Sequence, residues 1–284
     1  MEMKVLPAVL LLLALPMGAA HAGDRLIVTG GAQQLEGAAG GGLVPWAFIA
    51  GYGTRDQVGG SAFATRVDTR DFRVEAFGAA VGLFDRLELS FARQSLDAGR
   101  VVPGQKLRMD IVGAKVRVFG DAVYDQDSPW PQVALGAQRK RNLDMALPTA
   151  LGAARGSDTD VYMAATKVWL AGAAGRNLLA NLTLRATRAN QMGLLGFGGD
   201  RRDARRLQAE ASLAVMLNDR LVLGGEYRAK PDNLSAFRED AFSDAFVAWF
   251  PNKHVALTLA YARLGSVAGK TGQGGAYLSF QLTH

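Results

Sequence analysis

Three groups of residues could carry chemistry. The first is the run EGAAGGGLVPWAFIAGYG, Glu36 to Gly53. Glycines between a strand and a helix, followed by lysine and a hydroxyl residue, let backbone amides cradle a phosphate. Here Pro45 and Trp46 follow the glycines, and neither GxxxxGKS/T nor GxGxxG occurs, so the run does not indicate nucleotide binding. Small residues suit backbone that must thread closely past other backbone, which predicts a plug-like or mouth-lining segment. The second group is a set of charges on otherwise apolar, alternating segments: Arg185, Glu210, Glu226 and Arg228, with Glu88, Asp110, Lys115 and Arg117 elsewhere. Fixed charges facing a lumen can select ions or small solutes, or they can pair and fill a narrow interior. The third group is catalytic in type but poorly assembled. Beyond residue 22 the only histidines are His254 and His284, there is no cysteine, and neither histidine sits beside a nucleophile, so no catalytic residue is assigned. Asp121 to Ser128, DAVYDQDS, lacks the glycine and distal glutamate of a calcium loop, and no cofactor motif or metal-ligand set is present.

The segments that must position these residues alternate strictly. Leu87, Leu89 and Phe91 oppose Glu88 and Ser90; Leu178, Leu182 and Leu184 oppose Asn181, Thr183 and Arg185; Leu207, Ala209, Leu213 and Val215 oppose Gln208, Glu210 and Ser212. Runs of about 10 residues are the length a tilted strand needs to cross a bilayer, against about 5 to 6 for strands of globular proteins. The fold class is therefore all-β: a transmembrane antiparallel up-and-down β-barrel. Strands are predicted at 59–67, 71–83, 86–95, 105–118, 132–140, 159–170, 178–190, 205–217, 220–230, 240–250, 254–264 and 275–283. Twelve strands place both termini on one side, with short turns there and long loops at 95–105, 140–158, 190–204, 231–239 and 265–274 on the other. A further hairpin of Leu26 to Thr29 with Ala47 to Gly53 would make fourteen. One strand breaks phase, since Met109 and Ile111 share a face with Lys115 and Arg117; a bulge near Gly113 is expected to return the charges to the interior. Counting from strand ends, Arg185, Glu210 and Glu226 fall at similar depth and form a transverse belt with Arg228.

Lys4, the apolar run Val5 to Met17 and the small-x-small triplet Ala20-His21-Ala22 read as a cleaved signal peptide over residues 1–22. The chain then divides into an N-terminal segment, 23–58, at the periplasmic mouth or inside it, and a barrel, 59–284. The 284 residues are 49% hydrophobic and 20% charged with a net charge of +6. On an exported protein that charge suits anionic lipid headgroups or anionic solutes rather than nucleic acid. The arginines of QRKRN, Gln138 to Asn142, and DRRDARR, Asp200 to Arg206, are placed on external loops, pairing with lipopolysaccharide phosphates and their own aspartates. Trp46, Trp130, Trp169, Trp249, Phe250, Tyr227 and Tyr261 suit interfacial girdles.

Several stretches carry a resemblance: EGAAGGGLVPWAFIAGYGTRDQVGGSAF, AAVGLFDRLELSFARQ, GDAVYDQDSPWPQVALGAQ, ANQMGLLGFGGD, EYRAKPDNL and AFVAWFPNKHVALTLAYARLGS. Together they resemble an uncharacterised proteobacterial family labelled domain of unknown function 3034. The resemblance implies residence in the outer membrane and transfers no catalytic residue, cofactor or ligand. The partners expected are the lipid bilayer, lipopolysaccharide, the barrel-assembly machinery and a small solute; the oligomeric state is left open. The chain ends Leu282-Thr283-His284 without the terminal aromatic that commonly marks a last strand for assembly, a part Phe280 and Tyr277 can take. Two functions fit. One is a passive pore or facilitator for small hydrophilic solutes, anionic ones included, passing the charged belt. The other is a closed structural or docking barrel without transport, with a surface enzyme a remote third.

Overall fold

The computed structural model describes Arg25, residues 27–30 and residues 32–284. The signal-peptide reading of residues 1–22 lies outside the described residues. Twelve strands form one closed antiparallel barrel: β1 (Val58–Thr69), β2 (Arg73–Leu83), β3 (Leu87–Asp97), β4 (Lys106–Phe119), β5 (Gln132–Asn142), β6 (Ser157–Ala173), β7 (Arg176–Thr187), β8 (Arg206–Asn218), β9 (Leu221–Arg228), β10 (Phe242–Asn252), β11 (Val255–Arg263) and β12 (Gly274–Thr283). Each strand pairs with its sequence neighbours, and β12 closes on β1 from Gly275 opposite Thr69 to Thr283 opposite Ser61. The seam ends with the amides of Gly60 and His284 bonding each other's carbonyls at 2.9 and 2.7 Å. Closure leaves no sheet edge, the condition for carrying strands through hydrocarbon.

The alternation read from sequence becomes two walls. Leu89, Leu135, Leu182, Leu213, Leu223, Leu259 and Leu278 stand between 47% and 62% exposed on the outside, while Glu88, Gln94, Lys115, Asn181, Thr183, Arg185 and Glu210 are buried inside. An apolar surface that wraps a whole barrel matches a bilayer and not water. Exposed aromatics mark both edges of the band: Trp169 and Trp249 toward the short turns, Tyr227 and Tyr261 toward the long loops. Trp46 and Phe250 depart from the girdle expectation, since both are buried.

The structure corrects three further details. Residues 47–53 form no strand, so the barrel has twelve and not fourteen. No register shift occurs at Gly113; β4 alternates through it and shifts only between Arg117 and Phe119. Leu107, Met109 and Ile111 therefore face inward together with Lys115 and Arg117, because the interior they meet is itself largely apolar. Asp110 consequently faces outward and is not lumenal; it pairs with outward-facing Arg93 at 2.6 Å. The third concerns residues 138–142, which belong to β5 rather than to a loop, so Gln138, Lys140 and Asn142 point inward and Arg139 and Arg141 outward.

Because Leu213 lies on the outer wall near mid-strand, Leu213→Arg should lower barrel stability by about 2 to 4 kcal/mol, and Leu184→Arg similarly. Urea unfolding in lipid vesicles reads the effect. Wild-type midpoints for both would place these side chains away from lipid.

Candidate functional site: the filled lumen

The segment from Ala32 to Tyr52 runs inside the barrel, with Gln33 to Glu36, Ala38 to Ala50 and Tyr52 all buried. A two-residue ladder, Ala32–Gln33 with Ala39–Gly40, folds it back on itself. Backbone bonds from Leu35 to Gly42 and from Gly41 to Val44 tighten the return, at 3.1 and 2.9 Å. The glycines are there for close approach. A Cβ on Gly40 would stand 2.2 Å from the Val44 carbonyl, and one on Gly41 would stand 2.0 Å from Glu226 Oε1.

Glu36 sits at the head of this segment among wall cations. Its carboxylate pairs with Arg228 at 2.9 Å, with Arg185 at 3.6 Å, and with Lys140. Lys140 also meets Asp160 at 2.6 Å, Arg185 meets Glu210 at 2.6 Å, and Arg228 meets Glu210 at 3.3 Å. Lys140, Asp160, Glu210 and Glu36 are wholly buried, and Arg185 is 1% exposed, its guanidinium 4.9 Å above the Tyr162 ring. The network balances only with the plug in place: the wall supplies Lys140, Arg185 and Arg228 against Asp160 and Glu210, and Glu36 is the third anion.

Two further grips act on the plug backbone. Glu88 accepts the amides of Ala39 and Ala50 at 3.2 and 2.9 Å, while Lys115, paired to Glu88 at 2.9 Å, donates to the carbonyls of Ala39 and Trp46 at 3.0 and 3.2 Å. Glu226 accepts the Leu43 amide at 2.6 Å and the Ser212 hydroxyl at 2.7 Å; Ser212 in turn accepts the Trp46 indole N–H at 2.8 Å. Thr166 accepts the Ala47 amide and Thr183 donates to the Pro45 carbonyl, both at 2.8 Å. Each is a buried polar group satisfied by the opposite body, the condition for burying backbone in a lumen.

The long-loop end is closed as well. The connection 188–205 turns inward through the short 3-10 turn Asn190–Gly193, and Leu194, Leu195 and Phe197 are buried. Phe197–Gly199 pairs with Ala153–Arg155. Lys140 reaches the Met192 carbonyl at 3.2 Å, and Asn142 donates to the carbonyls of Gly193 and Leu194 at 3.1 and 2.7 Å. Lys140 thus ties cap to plug. Beside the cap, Lys230 and Glu239 pair at 2.9 Å; burial pushes the Lys230 ammonium down and the Glu239 carboxyl up, and their mutual attraction opposes both. At the short-turn end an apolar cavity of about 360 Å³ remains between Trp46, Phe48 and the wall residues Val168, Leu179 and Val222.

The structure therefore brings Arg185, Glu210 and Arg228 into one network, and beside it Glu226 of β9 holds the plug through the Leu43 amide. Glu88 and Lys115 form a separate grip. Arg117 lies at the short-turn end with Asp85 and Asp121, and Asp121 also accepts the amides of Val123 and Tyr124 at 2.9 and 2.8 Å. The external arginines Arg201 and Arg205 pair with Asp232 and Asp158. His254 and His284 stack at the short-turn end, ring centroids 6.4 Å apart. The residues missed from sequence are Glu36, Lys140 and Asp160. Only the alternation of Gln138-Arg139-Lys140-Arg141-Asn142, continuous with the strand before it, signalled that Lys140 points inward.

A closed twelve-strand antiparallel barrel with an apolar outer band and a filled, charge-paired interior is a transmembrane β-barrel by architecture. The chain belongs to the family described as Protein of unknown function (DUF3034), whose model matches residues 29–281. No curated protein matches it by sequence. Among solved structures it is similar to the outer membrane protein Omp33 of Acinetobacter baumannii, at 8% identity over 80% of this chain and 98% of that one, TM-score 0.47. It is also similar to the NanC porin, at 9% identity over 79% and 98%, TM-score 0.47. LpxR from Salmonella typhimurium matches at 12% identity over 79% and 99%, TM-score 0.46.

Glu36→Gln keeps the shape of the side chain and leaves three buried cations facing two carboxylates. Breaking a buried pair in this way should cost about 3 to 5 kcal/mol of plug docking. Trp46 fluorescence, in a background with Trp130, Trp169 and Trp249 changed to Phe, reads the denaturant midpoint of undocking. An unshifted midpoint would remove Glu36 from its assigned role.

Proposed function

We propose that this chain is an outer-membrane β-barrel shut at rest, with its own N-terminal segment as the closing element. The observation that carries the reading is the ion pairing around Glu36: Lys140, Arg185 and Arg228 of the wall meet two wall carboxylates, Asp160 and Glu210, and the plug supplies the third. The apolar band, the aromatic edges and the long loops gathered at one end support placement in the outer membrane, with those loops outward.

A freely conducting pore needs a water path past Arg185, Glu210, Glu226 and Arg228. Those four side chains are turned onto the plug or onto one another. That favours the closed barrel over constant passive diffusion. Passage of a small solute would follow undocking of residues 36–47, and the belt would then line the opened path. The void between plug and wall at the short-turn end is lined mainly by apolar side chains, Trp46, Phe48, Val168, Leu179 and Val222 among them.

Planar-bilayer recording of the refolded mature protein in potassium chloride should show silence for the wild type and openings for Glu36→Gln. Steady wild-type openings would contradict the closed reading.

A further inference from the structure

We infer that the outer wall of β4–β7 holds a binding site for a phosphate-bearing acyl lipid of the outer leaflet. The inference rests on the outer-membrane placement proposed above and is independent of whether the barrel opens. Register supplies the geometry. Cross-strand partners on the outer face run Ala114 to Ala137 to Val161 to Ala186, so three of four side chains in that row are methyl groups. The row nearer the short turns runs Val116 to Leu135 to Met163 to Leu184. Small residues bordered by large ones leave a groove of about 700 Å³ in the apolar wall, floored by Ala114, Ala137 and Ala186. It has the dimensions and lining for acyl chain.

The groove's upper end meets unspent positive charge. Arg139 and Arg141 follow Ala137 on the same outward face of β5, at steps of about 6.6 Å toward the long loops. The carboxylates around them are engaged elsewhere: Asp110 holds Arg93 through two bonds of 2.6 and 2.7 Å, Asp144 holds Arg108 at 2.8 Å, and Asp97 lies 3.8 Å from Lys106. Arg139 donates to the Ser157 and Thr159 hydroxyls at 2.8 and 3.5 Å and makes no ion pair; the Arg141 guanidinium has neither ion pair nor hydrogen bond among the described residues. Both are exposed. Guanidinium groups bind phosphate oxygens in pairs, and cations at this depth face the headgroup layer. An acidic peptide could meet the arginines but would leave the groove below them empty, whereas a phosphorylated acyl lipid meets both.

The test uses the folded full-length mature chain in detergent with purified lipid A, the phosphorylated acyl glycolipid of that leaflet, and the same lipid after dephosphorylation. Native mass spectrometry counts retained lipid, and heat-modifiable gel mobility verifies the fold of each variant. Arg139→Gln with Arg141→Gln should weaken retention of lipid A about tenfold or more, and Ala137→Phe, which fills the groove and leaves the arginines, should weaken it too. Equal retention by the double variant or by Ala137→Phe would overturn the site, as would equal retention of the dephosphorylated lipid. Because none of these readouts depends on conductance, loss of the lipid site and loss of the closed-barrel reading are separate results.

Discussion

A buried cation must have an anion, and at the heart of this lumen three wall cations are paired with only two wall carboxylates. Lys140, Arg185 and Arg228 converge in the lumen; among the described residues their ion-pair partners from the wall are Asp160 and Glu210, and the remaining partner is Glu36 from a different part of the chain. Removing one partner from such a network is far more costly than the network's net gain on formation, so it acts chiefly as a specificity device. It fixes where the plug stops. Once Glu36 is seated, the glycines behind it pass within contact of Glu226 and Tyr277, and Glu88 and Lys115 meet the plug's amides and carbonyls.

The same occupancy explains the interior's composition. A water-filled lumen would be lined by polar side chains throughout, yet Leu107, Met109, Ile111, Phe63 and Phe246 are buried in one cluster with Leu35, Leu43, Trp46 and Phe48 of the plug. The barrel is thus packed partly like the core of a globular protein, with charged clusters set into it. Polar grips orient the plug, and apolar contact fills the space between them.

Much of the fold was legible because a barrel writes itself in period two. Leu87-Glu88-Leu89 and Leu182-Thr183-Leu184 each assign an outer and an inner face without tertiary information, and turn asymmetry sets the strand count. The belt residues Arg185, Glu210, Glu226 and Arg228 could be named for the same reason. What sequence could not supply was the occupant. Alternation says that Met109 and Lys115 share a face, but only the plug explains why an apolar side chain belongs there; without it, a bulge at Gly113 and a lumenal Asp110 resolve a conflict that does not exist. Lys140 escapes notice because charged residues at a strand end read as loop, whereas Asp160 falls inside a predicted strand but carries no sign of its partner. Glu36 carries no local pattern; its meaning lies in three cations more than 100 residues away.

The central claim is that residues 36–47 occupy the lumen in the membrane. The chain has no cysteine, so an introduced pair reports without background. The Ala47 amide lies 2.8 Å from Thr166 Oγ1 on the inner wall of β6, which places Ala47→Cys and Thr166→Cys within reach of each other. Mild oxidation of cells carrying both substitutions, followed by proteolysis and mass spectrometry, should give a peptide cross-linked between plug and wall in most of the folded protein. Full oxidant access with both thiols still reduced, in a barrel shown to be folded, would mean that the lumen is not closed by its own N-terminal segment.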